Sequence, residues 1–358
     1  MHIPDGYLSP STCATLYVLA GSGWYAALKR IKRMLAMRTI PLISVFAAFS
    51  FVVMMFNVPL PGGTTGHAVG VAVAAIVLGP WGAILAISIA LAIQALFFGD
   101  GGITTLGANC FNMAIVGSFV AYGAYRLVAA SSETGSRRRV LAAAIAGYLS
   151  INASALAAAI EFGIQPRFFH DASGSPLYAP YPLHVAIPAM MIGHLTLAGL
   201  AEAVISAGMV SYLQRSDVGL LRGSFAQAPT GASVATTGQP EKRLWLAVAL
   251  LMLLTPLGIL AAGTAWGEWS PHDFADSQTR TQMEAASQKH VPPSAVPTGL
   301  QKLSTVWTAP FPGYAPSFIK HPAFGYLLSA MFGVGLFTFA SWIARAAGRK
   351  WRGRELRS

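Results

Sequence analysis

Apolar residues run along this chain in blocks long enough to cross a hydrocarbon layer, which takes about 20 helical residues, separated by short polar or glycine-rich breaks. The pattern predicts an all-α polytopic membrane protein. Helices are expected at about 9–28, 39–58, 105–127, 140–162, 183–212, 243–265 and 321–344. The remaining block, 67–98, is broken by Gly79-Pro80-Trp81-Gly82, a turn signal, and predicts two short helices joined at one membrane face. Residues 223–242 have the small-residue, Pro/Gly composition of a linker. They divide the chain into a seven-span unit (1–222) and a two-span unit (243–358), the latter interrupted by a polar segment at 266–320. No internal repeat stands out, so an inverted-repeat carrier gains no support.

Composition sharpens the class. Of the 358 residues, 54% are apolar and 10% charged, with mean hydropathy +0.55; soluble domains are about a quarter charged, so a soluble fold is excluded. A net charge of +11 suggests a polyanionic partner until its distribution is read. Four clusters (29–38, 126–139, 215–243, 345–358) hold 19 of the 24 Lys+Arg but only Glu133, Asp217, Glu241 and Glu355 among the 13 acids. Basic residues concentrate in alternate loops, as the positive-inside rule requires. The N-terminus is therefore expected outside and the C-terminus in the cytoplasm, with the basic tail as an inner-face anchor and no nucleic acid as partner. Cys13 and Cys110 lie in apolar runs without a CxxC spacing, which indicates neither a disulfide framework nor a thiolate site.

The first eight residues, MHIPDGYL, carry no basic n-region. Residues 9–27 thus do not read as a signal peptide, and the mature chain is expected to begin at Met1. His2 then follows a free α-amine. That amine, the next backbone nitrogen and the imidazole of His2 can close fused chelate rings on one divalent metal, an all-nitrogen set that favours planar or tetragonal geometry. One planar position stays open, and His67, where the outer loop meets the third span, is the natural fourth donor. The charge-derived topology places Met1 and His67 on the same face without using either residue.

The start MHIPDGYLSP, PGGTTGHAVG around His67, and QALFFGDGGITTLGANCFNMA at 94–114 resemble the CbiM/NikM family, the metal-specific membrane subunits of energy-coupling-factor (ECF) importers for cobalt and nickel. The resemblance covers about residues 1–215. PLGILAAGTAWGEW at 256–269 and its two flanking spans look like the small CbiN/NikN component fused to the same chain. The resemblance implies Co2+ or Ni2+ as transported substrate, with no resident cofactor. It implies Met1, His2 and His67 as ligands, a prokaryotic plasma membrane, and a separate coupling subunit and ATPase subunits as partners. The chain has no Gly-Lys pair and hence no phosphate loop, and no catalytic constellation was found.

Other polar residues in apolar surroundings have two readings each. Gln94 and Asn109 flank the GDGG loop and, with Asp5 and Asp100, are candidates for supporting the metal ligands; Asp5 and Asp100 equally suit turn roles. Asn112 reads as an interhelical hydrogen bond, and Gly99–Gly102 as a tight turn. His184, His194 and Glu202 fall in one span, where ionisable residues suggest function. They carry the alternative of a proton-coupled carrier or channel, beside a helix-holding His–Glu pair. His272 with Asp273 and Asp276 is a weaker metal candidate, while His170, His290 and His321 suit solvated loops.

Overall fold

The computed structural model describes residues 1–32, 39–221, 240–261, 263–316 and 318–355. Of the expected linker 223–242, residues 223–239 lie outside the described residues. Among the described residues, six helices are long and apolar enough to cross a membrane: Val71–Phe98 (α3), Leu106–Ala129 (α4), Arg137–Phe168 (α5), Leu183–Ser216 (α6), Lys242–Leu260 within α7, and Pro322–Ile343 within α8. They are joined by the shorter apolar helix α2 (Thr39–Met54) and by α1 (Pro10–Lys32), 23 residues long but less apolar. Helix α7 begins at Pro240, and α8 runs from Pro322 to Glu355. The protein is an all-α, multi-pass membrane protein.

The expected turn within 67–98 is present, although the backbone stays helical on both sides. Gly79 adopts φ 71°, ψ 168° immediately before Pro80, a conformation open to glycine. A methyl group on Gly82 would lie 2.7 Å from the Leu78 Cβ, whereas residues four apart on a straight helix keep their Cβ atoms about 5–6 Å apart. A straight run of 28 residues would also part its ends by about 42 Å. Yet His67 and Asp100, which flank α3, both lie against His2. Thus α3 is a helical hairpin that leaves and returns to one end of the bundle. It is the most enclosed span, 61% of its apolar window being buried against 22% for α7. Leu246, Leu250, Leu253 and Leu257 of α7 face outward, as a lipid-facing surface requires.

Helices α5 and α6 pack through small residues. A methyl on Gly147 would meet Ser206 Oγ at 2.5 Å and the Glu202 carbonyl at 2.9 Å, the close approach that drives association where no hydrophobic force acts between helices. Three helices widen into π-type turns, at Gln94–Phe98, Cys110–Val116 and His194–Ala198, each holding a polar residue flagged from sequence. Such turns are frequent at functional sites.

Two segments depart from their expected loops. The outer loop before His67 forms a two-stranded ribbon, Val58–Leu60 (β1) paired antiparallel with Thr64–Gly66 (β2), Val58 opposite Gly66. The polar segment 266–320 is a folded cap. It carries short helices Ser277–Ala286 and Thr298–Leu303 and buries Trp266, Trp269, Phe274, Met283 and Leu300. It closes over residues 1–8: Tyr7 donates to the Trp269 carbonyl (2.6 Å), and Leu300 sits where a side chain on Gly6 would go.

Candidate metal centre

Residues 1–9 are pinned to the bundle by backbone and side-chain hydrogen bonds. The Asn109 side chain clasps Ile3, its Oδ1 accepting from Ile3 N–H (2.8 Å) and its Nδ2 donating to the Ile3 carbonyl (3.1 Å). The Gly102 N–H (2.9 Å) and Thr105 Oγ1 also donate to that carbonyl. Asp5 accepts from the N–H groups of Ile103 (3.1 Å) and Thr104 (2.7 Å), and Ser9 N–H donates to Gln165 (3.0 Å). Gly101 and Gly102 permit this approach: a methyl on Gly102 would lie 2.3 Å from the Asp5 nitrogen. The glycine run is thus a turn, as expected, and also the floor on which the N-terminus lies.

Met1 and His2 are consequently buried, at 3% and 1% exposure. His2 Nδ1 lies 2.7 Å from Asp100 Oδ1 and 3.3 Å from His67 Nε2. His67 Nδ1 faces the Ala68 carbonyl at 3.0 Å. A carbonyl only accepts, so Nδ1 carries the proton and Nε2 points its lone pair at His2. The Asp100 carboxylate in turn requires the proton of His2 on Nδ1. The far oxygen of Asp100 accepts from Tyr314 (2.6 Å) and Gln94 (3.2 Å), and Gln94 also donates to the Tyr314 hydroxyl (2.9 Å). The Met1 amine lies 3.5 Å from Glu268 Oε1.

Burial, reinforced by His2 and the amine, pushes the His67 imidazole down to about 3, so it is neutral at physiological pH. Burial alone would raise Asp100, but the His2 charge and hydrogen bond, followed by His67, hold it well below the usual carboxylate range. Glu268 is raised by burial, against the pull of the amine. A cavity of about 400 Å³ adjoins these groups, with His67, Asp100, Glu268 and Tyr314 in its wall.

The structure therefore brings Met1, His2 and His67 together and seats Asp5, Gln94, Asp100 and Asn109 around them. No group of three or more His, Cys, Asp or Glu side chains is poised for a metal among the described residues. Glu268 and Tyr314 went unrecognised in the sequence as neighbours of the site. Glu268 was visible only as one acid of the polar segment, more than 260 residues from its partner.

His184, His194 and Glu202 do not assemble into a chain. His184 is exposed, His194 Nδ1 pairs with the Met190 carbonyl (2.8 Å), and Glu202 accepts from Val69 (2.6 Å) and Gly70 (2.9 Å). Asn112 bonds across helices as expected, but to Glu161 (2.8 Å). Asp273 and Asp276 are spent on helix starts, accepting from Ser270 and from Thr279, and His272 is exposed beside them.

The fold defines the class, an all-α multi-pass membrane protein, here with an N-terminal amine and two imidazoles converging at a buried point. Comparison makes it specific: the model for the cobalt uptake substrate-specific transmembrane region, CbiM, matches residues 2–220, and that of the PDGLE domain matches 241–350. The chain belongs to the CbiM family of nickel and cobalt transport proteins. It is 53% identical to the fused nickel transport protein NikMN of Rhodobacter capsulatus, over 94% of each chain. It is 41% identical to the probable fused nickel transport protein LarMN of Lactiplantibacillus plantarum, over 94% of this chain and 95% of the relative. A crystal structure of a transition metal transporter, 52% identical, superposes with a TM-score of 0.57 over 60% of this chain and 93% of its own.

Proposed function

We propose that this chain captures Ni2+ as the substrate subunit of an ATP-driven ECF importer, and that the metal sits on the Met1 amine, the His2 backbone nitrogen, His2 Nδ1 and His67 Nε2. The observation that carries this is the 3.3 Å separation of His2 Nδ1 and His67 Nε2. Adjacent planar nitrogens at about 2.0–2.1 Å from one metal are about 2.9 Å apart, so a small closure suffices. Only Nδ1 can complete a six-membered ring with its own backbone nitrogen, and Nδ1 is the atom presented. The proton between His2, Asp100 and His67 marks the place the ion would take; binding expels it together with those of the amine and amide.

The planar nitrogen set and the relatives named as nickel transport proteins both favour nickel; other relatives, 30% identical, are named cobalt transport proteins. In this reading the ligand end faces outward and the basic clusters face the cytoplasm of a prokaryotic plasma membrane. Residues 1–222 are the metal-binding unit, 223–242 a linker and 243–358 a cap-bearing module. Separate coupling and ATPase subunits drive release.

Calorimetric titration of the purified chain with Ni2+ tests the site. Adding Gly-Ser before Met1 removes the amine from chelate distance and is expected to abolish tight binding while the helical content stays unchanged. Undiminished affinity would overturn the proposed ligand set.

A further inference from the structure

Helix α6 grips the segment that carries His67 at two levels, on either side of its π turn. Above, Leu60 of the ribbon wedges against Gly193 and Gly66, a methyl on either of which would meet its Cδ1 at 2.7 Å. Below, the fully buried Glu202 carboxylate accepts the N–H groups of Val69 (2.6 Å) and Gly70 (2.9 Å) through Oε2, while Oε1 has no partner among the described residues. These two donors lie in the non-helical stretch between β2 and α3, two and three residues from His67. A polar group buried inside a span is costly unless bonded, and the Glu202 oxygen is the acceptor that satisfies both of these N–H groups.

The geometry points to Glu202 as a positioning residue for His67: it fixes the backbone that aims Nε2 at the metal and ties the fourth ligand to α6. This rests on the ligand set proposed above. Outer groups that orient metal ligands typically contribute 10–100-fold in affinity, and Glu202 does so through the main chain of the ligand's own segment.

The test is the ligand-field absorption of Ni2+ bound to the full-length chain, read beside Ni2+ affinity. His67→Ala replaces a nitrogen by water and shifts the band to lower energy; were the band unmoved, the ligand set itself would be wrong, whatever Glu202 does. Given that shift, Glu202→Met, similar in length but without an oxygen acceptor, is expected to give a band like that of His67→Ala and affinity about 10-fold or more weaker. Glu202→Gln keeps a carbonyl acceptor and is expected to restore the wild-type band and most of the affinity. A wild-type band and affinity in Glu202→Met, with only thermal stability reduced, would overturn the proposal by leaving Glu202 a structural residue. If Glu202→Met does not fold, Glu202→Asp decides: its shorter side chain falls short of Val69 and Gly70, and a wild-type band and affinity there overturn the proposal.

Discussion

At the scale of single residues, the grouping proposed as a chelate was legible because it is local: an amine, one amide and one imidazole are adjacent in sequence, and only His67 had to be brought from afar. Its arrival followed from topology, since the charge clusters placed both on one face. The ambiguity of Asp5 and Asp100 resolves in opposite directions. Asp5 binds the turn at Ile103 and Thr104, whereas Asp100 reaches His2 itself. His67 also sets a pH dependence. Its folded pKa of about 3 lies below the ordinary value of 6.5, so it takes up no proton near neutrality and does not compete with the metal there. The change of Ni2+ affinity between pH 6 and pH 8 is therefore expected to take no contribution from a proton on His67. His67→Ala is expected to lower affinity at every pH and leave that slope unchanged; a flatter slope in calorimetric titrations would show that His67 titrates in this range. The lowered pKa also acts on the metal-free fold: stability held above pH 6.5 declines as pH falls toward 3, because the unfolded chain binds that proton more readily.

At the scale of elements, hydropathy read the spans well and the connections poorly. The Gly79–Pro80 break announced the α3 hairpin because turn chemistry is local. The ribbon Val58–Gly66 was read as plain loop because two three-residue strands leave too short a pattern to detect. The segment 266–320 looked solvated because its buried Trp and Phe are isolated among polar residues; what they bury is the N-terminus, which no periodicity reveals. The floor beneath that N-terminus carries a sharp expectation. In Gly102→Ala the new methyl meets the Asp5 backbone within 2.3 Å, so the 1–5 segment lifts away from Asn109 and Thr105. Ni2+ affinity is expected to fall at least 10-fold, in the range found when supports of metal ligands are lost, with unchanged circular dichroism; retained affinity would mean that the segment does not need this seat.

At the scale of the whole molecule, the two family regions meet at the proposed metal site and are not merely linked beside one another. Glu268 faces the Met1 amine, Tyr314 holds Asp100, Tyr326 donates to the Met55 carbonyl (2.9 Å), and Phe337 packs on Phe51. The composition of 243–358 gave its spans but not this closure, because pairing across more than 200 residues leaves no mark in one sequence. Hydrogen exchange can read it: the amides of Ile3, Tyr7 and Ser9, all bonded, are expected to exchange slowly, and Tyr314→Phe with Glu268→Gln is expected to speed them without altering α4 and α5. Equal rates would detach the cap from the site. The central claim is the nature of the ligands, and X-ray absorption at the nickel edge of the loaded full-length chain addresses it directly. The account predicts four nitrogen neighbours at about 2 Å in a planar array; a six-coordinate shell rich in oxygen would contradict it.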